Sequence, residues 1–167
     1  MSIAVHIPFY NKEPYKKDGF RQLTRFDYLL ENIDNLKKLP IKTDIFVHTH
    51  NDFFKDREID AEIVIHNIED KDLEKGYLTW RVRSLMEKQL GKYDYYIYLE
   101  HDIKFSKKNF EYWIEYKKKL KRDKLNLGFI VYENSNEKNS NYAVHVMEKF
   151  YKYIEIKNQK FFINDID

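Results

Sequence analysis

Two carboxylates one residue apart follow a short apolar run past the middle of the chain. The run at 95–99 consists of tyrosine, isoleucine and leucine, and it leads into Glu100, His101 and Asp102. A short continuous apolar run is typical of a strand that is buried on both faces of an α/β sheet. Residues two apart in an extended strand point to the same side, so we expect the carboxylates of Glu100 and Asp102 to lie together and His101 to face away. Because open α/β sheets bind ligands at the carboxyl ends of their strands, the pair predicts a site with two oxygen ligands.

The composition of the 167-residue chain excludes several kinds of site. The chain contains no cysteine, which excludes disulfides, cysteine nucleophiles, zinc-thiolate sites and iron-sulfur clusters. Any metal must therefore be bound by oxygen or imidazole. Neither a GxGxxG nor a GxxxxGK[ST] string is present, so the glycine-rich dinucleotide loop and the phosphate-binding P-loop are both absent.

Charge and hydropathy bear on partners and location. The chain has 30 basic and 28 acidic residues and a net charge of only +2, which does not indicate a nucleic-acid partner. No apolar run approaches the ~18 residues of a membrane span, so no transmembrane segment is expected. We predict a cytoplasmic protein, and the basic segment at 117–122 leaves open a peripheral contact with a membrane.

Apolar residues at helical and strand spacing predict the order βαββαβα up to about residue 120. The predicted strands are 3–8, 44–48, 62–66 and 95–99. One predicted helix begins at Thr24 and stops before Pro40, a second runs from Asp70 or Asp72 to a cap at Gly91, and a third begins at Ser106.

The sequence pattern changes after about residue 120, where short predicted strands alternate with turn-rich segments. These strands are predicted at 127–132, 142–146, 152–156 and 160–163. We therefore predict one Rossmann-like α/β domain over 1–167, with a mixed, mainly parallel central sheet flanked by helices and a strand-rich carboxyl-terminal annex.

Polar and charged residues recur at the predicted strand ends and on one helix. In chain order they are Tyr10 and Asn11, Asp52, Trp80 with Arg81 and Arg83, and the triplet Glu100-His101-Asp102. This order, over most of the chain, resembles the nucleotide-sugar glycosyltransferases of the GT-A type. The triplet looks like the DXD motif of that family, and the resemblance implies an enzyme that transfers a hexosyl or deoxyhexosyl group in carbohydrate biosynthesis.

The resemblance implies a metal site and a donor site. Glu100 and Asp102 would hold Mn²⁺ or Mg²⁺ against the diphosphate of a nucleoside-diphosphate sugar, with His145 as a further ligand. Hard dications prefer oxygen ligands, and such an ion neutralises the charge that develops on the leaving diphosphate.

Tyr10, Asn11 and Asp52 would line the base and ribose pocket, and Arg81 or Arg83 would reach the ribose or diphosphate. Two residues apart on a helix, the arginines cannot both face one site well. Trp80 is expected in the core.

The acceptor side is implied more loosely. An inverting enzyme needs a carboxylate base for the acceptor hydroxyl, and Glu133, Asp165 and Asp167 are the candidates near predicted strand ends. The acceptor would be a glycan, a lipid or a protein. Residues 1–105 would form the nucleotide-sugar-binding half, and 106–167 would begin an acceptor half that we expect to continue beyond this chain.

Two other functions fit the same residues. Asp102-Ile103-Lys104 matches the (D/E)xK element of a metal-dependent nuclease, with Asp94 completing the metal site and Lys104 assisting the attacking water. Alternatively, the chain is a non-catalytic nucleotide-sugar-binding module of a larger transferase.

Overall fold

The structure is a computed structural model that describes residues 1–11 and 23–120, and beyond them 127, 129, 132–135, 140–143, 152–156 and 158–163. The chain divides into two compact units, Met1–Leu125 and Asn126–Asp167. The first contains β1 (Ser2–Pro8), α1 (Arg25–Lys37), β2 (Lys42–Thr49), β3 (Glu62–Ile65), α2 (Asp70–Leu73), α3 (Tyr77–Lys88), β4 (Tyr95–Tyr98) and α4 (Lys107–Leu120). The second contains β5 (Tyr132–Ser135), β6 (Ser140–Ala143), β7 (Lys152–Ile156) and β8 (Gln159–Ile163).

The first unit is built on a parallel four-stranded sheet in the order β3-β2-β1-β4. The predicted α/β architecture and the order βαββαβα are confirmed, although α2 and α3 divide the second predicted helix. The prediction of a mixed central sheet is wrong, because the antiparallel strands pair in separate hairpins, β5 with β6 and β7 with β8.

The strand that precedes the acidic triplet is not the buried centre of the sheet. β1 and β2 each have a neighbouring strand on both sides, and β1 has six of its seven residues buried, whereas β4 lies at an edge of the described sheet. Tyr95, Tyr96 and Ile97 are only half-buried and Tyr98 is exposed. Tyrosine accounts for the difference, since its ring covers apolar surface while its hydroxyl reaches water.

One face of the sheet carries the main apolar core. Ile3, Val5 and Ile7 of β1 pack there with Leu29 and Ile33 of α1, and α4 belongs to the same core. The apolar residues of α1 recur at helical spacing, which gives the helix one core-facing stripe.

The start of α1 is fixed by a capping box. Thr24 Oγ1 accepts a hydrogen bond from the backbone N–H of Asp27 (3.2 Å), and Asp27 Oδ2 accepts one from the N–H of Thr24 (2.7 Å). The predicted helix start is confirmed.

The opposite face is covered by α3, which contacts β1 and β2. The residues on this face of the sheet are all buried, and they are Ala4 and His6 of β1 and Phe46 and His48 of β2. The chain crosses from β1 to β2 in one direction and from β3 to β4 in the other, and right-handed crossovers in opposite directions put their helices on opposite faces. The unit is therefore wound on both sides of β1.

A glycine divides the second predicted helix into two. Gly76 adopts a left-handed conformation (φ 77°) between the end of α2 at Leu73 and the start of α3 at Tyr77. Glycine takes positive φ without the penalty that a Cβ carries. Gly91 is also left-handed (φ 83°), although the C-cap residue of α3 is Gln89.

The second unit is described as two hairpins. β7 matches the predicted strand, and β8 begins one residue earlier than predicted. β5 extends through Asn134 and Ser135, which sequence reasoning assigned to a turn, because they pair with Asn141 and Ser140 of β6. The assignment of 1–167 to one domain stays a prediction. Among the described residues, none of the helices has the length and apolar character needed to cross a membrane.

Replacing Gly76 with alanine tests whether the break between α2 and α3 is built into the fold. Nothing lies within 4 Å of a Cβ placed at Gly76, so the cost is that of positive φ alone. We expect Gly76→Ala to lower the free energy of unfolding by about 1 kcal/mol in urea denaturation. The control is Ser84→Ala on the exposed side of α3, which should be neutral or mildly stabilising. A stabilised Gly76→Ala protein would mean that the helix runs through this position.

Candidate functional site

The parallel sheet brings its strand ends to one edge, and the order of strands selects a place along it. From β1 the chain goes to β2 on one side, while β4 lies on the other, so the topological switch point is between β1 and β4. The residues that follow β1 and β4 each keep one more backbone hydrogen bond to the neighbouring strand. Phe9 N–H donates to His48 O (2.8 Å), and Leu99 N–H donates to His6 O (3.0 Å). Doubly wound sheets bind ligands in the crevice outside such a switch point. In this sheet the rule points to the position between residues 9–11, which follow β1, and 99–102, which follow β4, and we call this position the switch-point crevice.

A buried asparagine holds one wall of the crevice. Asn32 of α1 is 3% exposed, and its Nδ2 donates to the backbone carbonyl of Ile103 at 2.9 Å. The carbonyls of Glu100 and His101 lie at 3.3 and 3.4 Å from the same nitrogen. Sequence reasoning missed this residue, because a polar side chain at helical spacing does not show which carbonyls it meets.

The backbone of the acidic triplet forms a turn, contrary to the prediction of an extended strand. β4 ends at Tyr98, and the N–H of Ile103 donates to the carbonyl of Glu100 at 3.2 Å. The alternation of sides that grouped Glu100 with Asp102 therefore does not apply here. Glu100 lies near Tyr98, since its charge adds to the effect of burial in raising the pKa of the Tyr98 hydroxyl.

Asp102 lines a small cleft beside α1. The cleft has a volume of about 60 Å³ and is lined by Tyr28, Glu31, Asn32, Asn35, His101, Asp102 and Lys104. That volume is well below the ~300 Å³ at which pockets for drug-sized ligands begin. Asp102 and the backbone turn that carries it are thus accessible from the side of α1.

His101 is held between the crevice walls. Its ring meets Phe9 edge-on, with the ring centroids 5.4 Å apart. Burial lowers the pKa of His101, while the carboxylate of Asp102 acts in the opposite direction and the charge of Arg25 acts with burial. Contact with Phe9 links the turn to the end of β1.

The residues proposed for a nuclease site are separated. Asp94 precedes β4 and accepts a hydrogen bond from the N–H of Ser2 (2.7 Å), whereas Asp102 follows β4. The four residues of β4 span about 13 Å at 3.3 Å per residue. Lys104 forms an ion pair with Glu31 at 3.3 Å. Asp94 therefore lies at the opposite end of the strand from Asp102.

The predicted donor residues after β1 lie beside a histidine that sequence reasoning missed. The Tyr10 and His50 rings are tilted with centroids 5.2 Å apart. Asn11 is 7% exposed, and its Oδ1 has no hydrogen-bond partner among the described residues. Asp52 is exposed in the turn after β2. Tyr10, Asn11 and His50 thus form a polar group at the ends of β1 and β2.

The two predicted arginines diverge. Arg81 lies near His66, whose pKa its charge lowers in addition to burial, and Arg83 acts on the hydroxyl of Tyr98. His66 follows β3 and Tyr98 ends β4, so the two arginines lie toward the two opposite edge strands of the sheet. Arg83 also stacks on Trp80 at 4.0 Å, and Trp80 is 58% exposed, so its predicted place in the core is wrong.

Three histidines form a hydrogen-bonded row on the α3 face of the sheet. His6 Nδ1 lies 2.9 Å from His48 Nε2, and His48 Nδ1 lies 2.8 Å from His66 Nε2. The register explains the row, since His48 is level with Pro8 of β1 and Val64 of β3 and so stands diagonally between the other two rings. Burial is the main cause that lowers the pKa of His6 to about 4 and of His48 to about 3. We call these residues the histidine row.

The remaining predicted residues belong to the second unit. His145, Asp165 and Asp167 lie outside the described residues. Glu133 is in β5, opposite Tyr142 of β6. Their proposed roles stay predictions.

The metal prediction can be compared with the residues that are present. Within 1–11, 23–120 and the described part of the second unit, no group of three or more histidine, aspartate or glutamate residues could hold a metal ion. A protein site for Mg²⁺ commonly supplies one or two carboxylates, and substrate phosphates and water complete the octahedron. Glu100 and Asp102 match that donor set in residue type, although the turn removes the shared side on which their pairing was predicted.

No protein-family model, curated protein or solved structure matches this chain.

The hydrogen bonds of Asn32 predict that the turn at 100–103 depends on it. We expect Asn32→Ala to lower the free energy of unfolding by about 1 to 3 kcal/mol, because the carbonyls of the turn lose the donor that Asn32 supplies. Amide hydrogen exchange at 100–103 should accelerate. The matched control is Asn35→Ala in the same helix, since Asn35 Nδ2 donates only to Glu31 O one turn earlier (2.8 Å). Equal effects of the two substitutions would contradict the role of Asn32.

The histidine row predicts a loss of stability on acidification. Between pH 6.5 and about 4 the unfolded chain binds more protons than the native protein, because the native pKa of His6 lies near 4 and that of His48 near 3. Their contribution is full above pH 6.5 and decreases as the pH falls through this window. Urea denaturation between pH 7.5 and 5, above the usual carboxylate range of about 4, should show it. His48→Gln should flatten the dependence, and a pH-independent wild type would contradict the prediction.

Proposed function

We propose that this protein is a metal-dependent glycosyltransferase of the GT-A type, which transfers a sugar from a nucleoside-diphosphate sugar to an acceptor hydroxyl. The observation that carries the proposal is the topological switch point between β1 and β4, where the turn bearing Glu100 and Asp102 follows β4 and residues 9–11 follow β1. A crevice at this position is the place where a doubly wound sheet binds a nucleotide. The acidic turn supplies carboxylate ligands at the same place.

The described residues would divide the donor between them. Asp102 and Glu100 would hold Mn²⁺ or Mg²⁺, which when bound neutralises the negative charge that develops on the leaving diphosphate. Asn32 keeps the turn in position through its bonds to three carbonyls. Tyr10 and Asn11 would contact the nucleoside from the other wall of the crevice.

The acceptor half of the proposal rests on sequence. Glu133 and Asp165 are the proposed bases for the acceptor hydroxyl, His145 is the proposed further metal ligand, and the acceptor is a glycan, a lipid or a protein. The non-catalytic binding module differs from the enzyme only in turnover, so the same ligands test both.

The proposal predicts that nucleotides stabilise the protein only with a cation and only with Asp102. UDP-, GDP-, dTDP- and CMP-linked compounds are screened by thermal unfolding, with and without Mn²⁺. A ligand at about 100 times its Kd adds about 2.7 kcal/mol. We expect the melting temperature of wild type to rise by several degrees for one nucleotide class with Mn²⁺. Asp102→Asn, which keeps the shape of the side chain, should lose that rise.

The control is Asp34→Asn, which removes an exposed carboxylate on α1 and should keep the full response. Stabilisation without cation, or undiminished in Asp102→Asn, would contradict the metal role. The absence of any response to nucleotides would overturn the proposed function. Binding without sugar transfer or donor hydrolysis would favour the binding module.

A further inference from the structure

The hydrogen bonds of the histidine row allow only two arrangements of protons. A neutral imidazole has one N–H and one acceptor nitrogen, so two consecutive ring-to-ring bonds require all three rings to carry the proton on the same atom. Either every Nε2 is protonated and the row donates from His66 through His48 to His6, or every Nδ1 is protonated and it donates the other way. The rings of His6 and His48 are fully buried and have a strongly lowered pKa, so both are neutral at neutral pH.

The buried end of the row decides between the two arrangements. Gln89, the C-cap residue of α3, lies beside His6 and is 7% exposed. His6 Nε2 and Gln89 Oε1 are both buried, and neither atom has a hydrogen-bond partner among the described residues. A bond from His6 Nε2–H to Gln89 Oε1 would satisfy both atoms, and buried polar groups are nearly always satisfied.

From this geometry we infer that His66 is held as a neutral ring with its proton on Nε2, so that its Nδ1 is a hydrogen-bond acceptor at the carboxyl edge of the sheet. The two nitrogens lie on opposite sides of the ring, and since Nε2 faces His48, Nδ1 is directed away from the row. His66 is half-buried, and its N–H donates to Thr49 O at the end of β2 (2.8 Å). The acceptor therefore lies past the ends of β2 and β3.

The row fixes a tautomer and does not conduct protons through the protein. A proton accepted at His66 could move to His48 and His6, but the amide of Gln89 has no basic nitrogen to receive it. The excess charge would stay on rings that burial keeps neutral. His66 is thus suited to bind a hydroxyl or N–H group, and it is poorly suited to act as a general base.

The ligand class follows if the proposed function is right, and this step rests on it. A nucleotide at the switch-point crevice extends its nucleoside along the carboxyl edge, and doubly wound folds contact the ribose with the residue after the second strand. His66 follows β3, the next strand along that edge. We infer that His66 Nδ1 accepts a hydrogen bond from a ribose hydroxyl or a base N–H of the donor. Arg81, whose charge reaches His66, lies beside it as a donor.

The tautomers can be observed directly by NMR. A long-range ¹H–¹⁵N spectrum of the ¹⁵N-labelled protein at pH 7.5, assigned with single histidine variants, distinguishes protonated from unprotonated ring nitrogens. We expect His6, His48 and His66 to be neutral with the proton on Nε2. A proton on Nδ1 of His66, a mixture, or a charged ring would overturn the inference.

Gln89→Leu removes the acceptor at the buried end, so the three rings should lose their single tautomer, while the exposed control Glu87→Gln should keep it. If Gln89→Leu does not fold, Gln89→Glu retains an acceptor oxygen and should retain the Nε2–H tautomers. Unchanged tautomers in a folded Gln89→Leu protein would contradict the role of Gln89.

A matched pair at position 66 tests the ligand. His66→Gln keeps a donor towards His48 and loses the outward acceptor, and His66→Asn offers an oxygen near the position of Nδ1. We expect UDP or GDP with Mg²⁺ to bind His66→Gln about threefold to tenfold more weakly than wild type, as for the loss of one neutral hydrogen bond. His66→Asn should recover part of the affinity, and the ¹⁵Nδ1 resonance of wild-type His66 should shift on binding.

Equal affinities in the two variants, or an unmoved Nδ1 resonance, would overturn the ligand assignment. If none of UDP, GDP, dTDP and CMP binds, the ligand assignment is overturned together with the proposed function. The tautomers, which are measured without nucleotide, would still be judged on their own.

Discussion

The burial of β1 between β2 and β4 is the constraint on which the rest of the first unit depends. A strand with neighbours on both sides and helices on both faces has no route to water for its backbone groups, so its ladder hydrogen bonds must be complete. Parallel pairing with both neighbours then brings the strand ends to one edge. The switch-point crevice is a consequence of this arrangement, since β1 leads to β2 on one side and has β4 on the other.

The two faces of β1 satisfy that burial by different chemistry. One face is apolar and packs against α1 and α4, so its stability comes from area removed from water. The other buries His6 and His48 completely. An unpaired buried polar group costs about 1 to 3 kcal/mol, so the rings are tolerated because they bond to one another. A face of this kind fixes proton positions, which an apolar face cannot do.

The acidic turn shows how a site is supported from the core. Glu100 and Asp102 are exposed and have no regular secondary structure of their own, yet the carbonyls of their turn meet a buried amide from α1. Asn32 is one residue from Ile33, which packs in the main core. The turn is therefore tied to a helix that packs in the main core.

The sequence by itself determined the elements that depend on local chemistry. Thr24 and Asp27 made the start of α1 predictable, and apolar spacing identified the four strands of the first unit and the alternating order, because these signals lie within a few residues of one another. Only the tertiary structure decided that β4 is an edge strand, that 100–103 is a turn, and that Asn32 and the three histidines have the partners they have. Each of those facts depends on which strands are neighbours and in what register. The sheet brings together pairs such as His6 with His48 and Asn32 with Ile103, which are far apart in the sequence, and no local pattern in the sequence indicates these contacts.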